Sequence, residues 1–140
     1  MSDKVLRKTH KKIGVGIIYN ERGDILIDRR LAKGEMGGLW EFPGGKIEHN
    51  ETVAECIKRE IKEELGIEVL VKEFLLSIEH QYSKFKVTIF VHECQYLEGI
   101  PQTIECEEIR WVSVSELDRY NFPDANYQII TLIQSSFKKY

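Results

Sequence analysis

The stretch Arg59-Glu60-Ile61-Lys62-Glu63-Glu64-Leu65 sets three glutamates within five residues, directly behind an arginine. At roughly 100° of rotation per helical residue, Glu60, Glu63 and Glu64 fall within an arc of about 100° beside the sector of Ile57, Ile61 and Leu65. The carboxylates therefore border a buried face, whereas Glu55, Lys58 and Lys62 project away from it. On an exposed helix, like charges at i, i+4 cost only about 0.2–0.5 kcal/mol. Near a partly buried surface, two carboxylates about 4 Å apart repel by roughly 4 kcal/mol at an effective dielectric of 20. Something must offset that repulsion. Arg59 points off the centre of the cluster, so a divalent cation is the stronger candidate, and an all-oxygen set suits Mg²⁺ or Mn²⁺ better than zinc.

The elements that position these residues follow from periodicity. Val53, Ile57 and Ile61 recur every four residues, Ala54 and Leu65 widen the stripe, and Gly66 stands at the C′ position, which predicts a helix from Glu51 to Leu65. Ile13–Tyr19 and Ile25–Arg29 flank the polar cluster Asn-Glu-Arg-Gly-Asp and read as a β-hairpin. Between hairpin and helix lies a glycine-rich loop with a short strand around Trp40–Phe42. Residues 67–82 and 86–96 read as long strands, and 109–114 as a shorter one. Residues 115–120 read as a turn of helix, and residues 124–140 as an amphipathic helix with Ile129, Leu132 and Ile133 inward. Trp40 and Trp111 are expected in the core. Strands on both sides of a central helix, with a second helix at the end, imply a mixed sheet between helices, an α/β fold.

With 140 residues, 42% hydrophobic and 31% charged, the chain fits one soluble domain, 1–140, with residues 1–12 as a solvated, flexible segment. A net charge of −3 argues against polymeric nucleic acid, whose affinity rests on many Lys and Arg. No run approaches a membrane span and no apolar segment follows the basic N-terminus, so a cytoplasmic protein without membrane association is expected. Cys56, Cys94 and Cys106 show no CxxC spacing and are expected as free, at least half-buried thiols.

Reading backward from the glutamates gives Gly45, five residues, Glu51, seven residues, then Arg59, Glu60, Ile61, any residue, Glu63, Glu64, any residue, Gly66 and Ile67. Seven named residues would coincide by chance roughly once in 10⁸ starting positions. With every fixed position of the Nudix box filled, the chain resembles a Nudix hydrolase, and the resemblance implies a loop–helix–loop within an α/β/α sandwich. Arg29-Arg30, the segment from Glu41 to Glu48, the segment from Arg110 to Leu117, and Phe122 to Asn126 extend the likeness to the MutT-type 8-oxo-dGTP diphosphatases.

That resemblance implies a pyrophosphohydrolase using Mg²⁺, with Mn²⁺ as a substitute, on a small nucleoside triphosphate, in a monomer. It implies Glu60 and Glu64 as principal metal ligands, with Glu63 assisting, the Gly44 carbonyl completing the cage, and Glu105 as an acidic ligand from a loop. Arg59 would orient the glutamates through Glu51. Glu60 would be the general base, with Glu105 as the alternative, and Lys46 would face a phosphate or the attacking water. Arg30, Glu41, Phe42 and Asn126 would contact the nucleotide, Asn126 reading the base through an amide that both donates and accepts; capping of the last helix is its alternative role. Two departures concern the base: Phe85 replaces an arginine, and Glu35 a histidine. A CTP or 5-methyl-dCTP pyrophosphohydrolase is therefore the rival substrate class, and a non-catalytic Nudix-like module the rival function.

Overall fold

The computed structural model describes residues 9–34 and 36–138. Its strands are β1 (Thr9–Tyr19), β2 (Ile25–Arg29), β3 (Trp40–Glu41), β4 (Gly44–Lys46), β5 (Glu68–Gln81), β6 (Phe85–Glu98) and β7 (Glu108–Val112). Among the described residues two α-helices, α1 (Val53–Leu65) and α2 (Tyr127–Lys138), accompany them, with 3₁₀ turns at Val114–Arg119 and Asp124–Asn126. The strands form one sheet in the order β3-β2-β1-β6-β5, with β4 paired to β1 and β7 to β2. β1 and β6 run parallel, from Thr9 opposite Phe85 to Tyr19 opposite Gln95. The other pairings are antiparallel, so the sheet is mixed.

Alternation along the strands sorts the core into two layers. Ile17, Ile25, Ile27 and Val91 face one cluster, which α2 closes with Ile129, Ile130 and Ile133. Ile18, Leu26 and Cys94 face the other, which α1 closes with Ile57, Ile61 and Leu65. This is the expected α/β/α sandwich.

Local signals fix the joints. In the β1–β2 turn, the Asn20 carboxamide oxygen accepts from the backbone N–H of Arg22 at 2.9 Å and of Asp24 at 3.0 Å. Helix α1 begins with a capping box: Thr52 Oγ1 accepts from Glu55 N–H at 3.1 Å, and Glu55 Oε1 from Thr52 N–H at 2.8 Å. It ends at Gly66, whose φ of 72° turns the chain into β5. The helix lies directly on β1 because Gly16 has no side chain there. A Cβ at Gly16 would stand 2.9 Å from Cys94 Sγ and 3.0 Å from Ile61 Cδ1.

The structure differs from the periodicity in several places. Thr9–Lys12, expected as solvated segment, are strand residues whose side chains are exposed but whose backbone pairs with β6, and His10 Nε2 meets Thr88 Oγ1 at 2.7 Å. Residues 1–8 of that segment, and 139–140 of the expected last helix, lie outside the described residues. β4 had no periodic signal because it consists of Gly44, Gly45 and Lys46. In α1, Ala54 is exposed and Cys56 takes the buried position. In α2, which starts only at Tyr127, Ile130 is buried while Leu132 is half-buried, because the seam runs i, i+1, i+4 from Ile129. β7 ends at Val112, short of the expected residue 114, where the 3₁₀ turn takes over. Trp40 is a core residue, whereas Trp111 is half-buried, edge-on to Tyr96. All three cysteines are free and buried.

Candidate active site

Helix α1 carries Arg59, Glu60, Glu63 and Glu64 along the rim of its buried face. The long guanidinium of Arg59 reaches further into the carboxylates than helical direction alone suggests. Its Nε and one amino group donate to Glu51 at 2.6 and 2.9 Å, and the same amino group donates to the Lys46 carbonyl at 3.1 Å. The other amino group lies 3.1 Å from Glu63 and 3.4 Å from Glu60. Arg59 thus ties the loop before the helix to the helix itself. Its guanidinium holds the Glu51 carboxyl at about 2, well below the usual range.

The glycines make room for the acids. A Cβ on Gly45 would lie 2.3 Å from the Glu60 carboxyl carbon, so any side chain there would displace the carboxylate from its present position. Glu64 is more enclosed: burial first, then the charges of Glu41, Glu60 and Glu105, push its carboxyl up to about 9, against one backbone hydrogen bond from Gly44. Its Oε1 is buried and has no hydrogen-bond partner among the described residues. Glu60 is also raised, chiefly by burial.

A buried, unpartnered carboxylate oxygen among further acids is what an oxygen-seeking divalent cation would satisfy, and the donor set is all oxygen. The residues fit such an ion: Glu60, Glu64 and the Gly44 carbonyl would hold it, with Glu63 and Glu105 at its margin. Among the described residues no three acidic, histidine or cysteine side chains converge as a closed cage. Glu60 and Glu63 lean onto Arg59 instead, the nearest cation.

Beside this acidic edge, a cavity of about 240 Å³ is bounded by Arg30, Glu41, Phe42, Gly44, Gly45 and Asn126, with Tyr82, Phe85 and Val87 on its apolar wall. All four residues expected to contact a nucleotide are therefore brought together. Phe42 is buried and stacked on Phe122 at 5.0 Å between ring centroids, which fixes its face. Arg30 donates to Glu41 at 2.9 Å. The Asn126 backbone N–H donates to the Pro123 carbonyl at 2.9 Å, and the residue is half-buried on the cavity wall. Glu105 is exposed and shares a second recess with Glu64, Glu41 and Arg30. The Lys46 side chain is exposed and does not line the cavity; its carbonyl, not its ammonium, is engaged. Glu35 lies outside the described residues.

A mixed sheet between two helices, with an acidic helix rim beside the cavity, is an arrangement suited to holding a divalent cation next to a small ligand. Comparison with known families narrows it: a NUDIX domain model matches residues 14–132, and the chain belongs to that family. The Escherichia coli 8-oxo-dGTP diphosphatase is 35% identical over 123 residues, covering 88% of this chain and 95% of that protein. The CTP pyrophosphohydrolase of the same organism is 32% identical over 116 residues, covering 83% and 86%. A MutT protein of Methanosarcina mazei Go1 superposes with a TM-score of 0.84 at 26% identity, over 95% of this chain and 99% of that one. The protein is a Nudix hydrolase, and its box has lost none of its glutamates. Among the described residues no helix is long and apolar enough to cross a membrane.

One acid escaped the sequence reading. Asp28 shares a strand face with Leu26, toward α1, and stands opposite Glu41 in the β2–β3 register. It is only 2% exposed, and its Oδ2 has no partner among the described residues. An aspartate directly after three apolar residues, on the core-facing side of β2, was the available signal. Burial, then the charge of Glu41 and a hydrogen bond with it, then the charge of Glu64, push its carboxyl up to about 10, so the buried pair keeps a proton at neutral pH. In the unfolded chain it ionises near pH 4. Between those values the folded state holds the extra proton, so Asp28 lowers stability progressively as pH rises from about 4 to about 10. Asp28→Asn keeps the shape and removes the titration. Its melting temperature relative to the unsubstituted protein is expected to climb steadily from pH 5 to pH 9; an offset independent of pH would contradict this assignment.

Proposed function

We propose that this Nudix hydrolase is a Mg²⁺-dependent pyrophosphohydrolase converting 8-oxo-dGTP, and dGTP, to the monophosphate and pyrophosphate. As a monomer in the cytoplasm it would clear oxidised guanine nucleotides from the precursor pool before they enter DNA. The observation carrying the reading is one cavity lined by Asn126, Phe42, Gly44 and Gly45, with the Glu60 carboxylate packed against Gly45. A base held by Asn126 and Phe42 places its 5′-phosphates toward the glutamates. The relative named 8-oxo-dGTP diphosphatase, similar over nearly its whole length, supports the same substrate.

The bound Mg²⁺ would neutralise the polyphosphate, activate a water and stabilise charge on the displaced oxygens. The chain's own residues do the rest. Arg59 fixes Glu60 and Glu63 relative to Glu51. Glu60 takes a proton from the attacking water, with Glu105 the alternative base at the edge of the second recess. Lys46 would have to swing inward to meet a phosphate. Glu41 holds Arg30 on the cavity wall, and the Asn126 amide pairs with the base edge.

A second reading, a CTP or 5-methyl-dCTP pyrophosphohydrolase, is favoured by Phe85, which gives the cavity an apolar wall in place of an arginine, and by the similarity to a CTP pyrophosphohydrolase. A hydrolysis screen of 8-oxo-dGTP, dGTP, CTP and 5-methyl-dCTP with Mg²⁺, scored by kcat/KM, separates the two; preference for the pyrimidines would overturn the first. Glu60→Gln is expected to fold normally and lower turnover by at least about 10³-fold, because metal and base roles converge there. Near-normal turnover would sink that role. Asn126→Ala is expected to erode preference for the oxidised base more than it slows dGTP hydrolysis, since an unpaired polar edge costs discrimination. Equal losses on both nucleotides would remove Asn126 from base reading.

A further inference from the structure

Three depressions meet at Arg30. The first is the nucleoside cavity, and the second is the acidic recess of Glu64 and Glu105. The third is a more open hollow lined by Thr9, Lys11, Arg30, Lys33, Lys84 and Phe85, which adjoins the nucleoside cavity through Lys11, Arg30 and Phe85. Four of its lining side chains are cationic and none of the described ones is acidic. The chain as a whole carries −3, so the concentration of positive charge is local. Lys11, Lys33 and Lys84 form no ion pair among the described residues, whereas neighbouring Lys86 is paired with Glu79 at 2.6 Å. The Lys11 ammonium stands 4.0 Å from the centre of the Phe85 ring, which holds it over the boundary between hollow and cavity.

A nucleoside triphosphate in the proposed orientation uses two of these depressions: the base enters the apolar cavity and the triphosphate runs toward the glutamates. The sugar then lies between them, near the Arg30 junction. A deoxynucleoside 5′-phosphate has one remaining hydroxyl oxygen on its sugar that can carry another phosphate, the 3′ oxygen. We propose that the basic hollow is a subsite for a phosphate on the 3′ oxygen, so that the substrate class extends to nucleotides phosphorylated at both ends of the sugar. This rests on the nucleoside orientation proposed above. A terminal 3′-phosphate and the phosphodiester of a following nucleotide share that chemistry.

The test compares equilibrium binding of deoxyguanosine 5′-monophosphate, deoxyguanosine 3′,5′-bisphosphate and a 5′-phosphorylated deoxyguanosine dinucleotide, in the unsubstituted protein and in Lys84→Gln. Lys84 is exposed at the turn between β5 and β6, where its replacement spares the core. The bisphosphate is expected to bind about tenfold more tightly than the monophosphate, the scale of one charge-assisted contact. Lys84→Gln should remove at least half of that ratio and leave kcat/KM for dGTP unchanged. If the dinucleotide keeps the advantage, the subsite accepts a phosphodiester; if it loses it, the subsite takes a terminal phosphate. Equal affinity for bisphosphate and monophosphate would overturn the proposal. So would a Lys84→Gln loss in kcat/KM for dGTP matching its loss in bisphosphate binding, which would put the hollow under the triphosphate instead. Binding requires no turnover, so tight bisphosphate binding without dGTP hydrolysis would refute the proposed reaction and leave the subsite standing.

Discussion

Carboxylates held against a buried surface repel one another, and the architecture around α1 follows from how that repulsion is offset. Glu60 and Glu64 sit where the helix meets β4 and the sheet, with Glu41, Glu105 and Asp28 facing them from other elements. One cation of the chain's own, Arg59, engages Glu51, Glu60 and Glu63. It does not relieve Glu64, whose buried oxygen has no partner among the described residues. The protein-only arrangement is thus balanced at one edge and frustrated at the other, and the frustrated edge faces the recess it shares with Arg30. That imbalance is what a divalent ion would remove.

The rest of the fold serves to hold that edge in place. Glycines 14 and 16 let α1 lie close on β1, so the helix cannot drift from the sheet that also carries the cavity floor. Gly45 crosses Glu60 with no side chain between, and Gly44 hydrogen-bonds Glu64 through its backbone. β1 and β6, paired in parallel over the full length of β1, bring Lys11 and Ile13 beside Phe85 and Val87. The same pairing builds the apolar wall against which Asn126 and Phe42 look inward.

Much of this was legible in the chain. Helix α1 carries a full set of local signals, from the Thr52–Glu55 box to Gly66, and its period alone places the acidic rim. The long strands β5 and β6 declared themselves by β-branched and aromatic content. What stayed hidden had no periodic signature. β4 is defined by close backbone approach, which glycines permit but do not announce. Thr9–Lys12 pair by backbone while their side chains stay in solvent, so a polar run reads the same paired or free. Asp28 was passed over because its strand is recognised by its apolar neighbours, and its meaning depends on Glu41 arriving from a different strand. The reach of Arg59 exceeds what helical direction conveys, because that direction describes Cβ, not the far end of a long side chain.

We propose that a divalent cation completes the Glu60–Glu64 edge and takes over what a proton does on Glu64 in the metal-free protein. Calorimetric titration of the metal-free protein with Mg²⁺ at pH 7.5, repeated in buffers of different ionisation enthalpy, measures both binding and the protons exchanged. With the Glu64 carboxyl raised to about 9, binding should release close to one proton, and apparent affinity should rise with pH. Mg²⁺ binding with no proton release and a flat pH dependence would contradict the account.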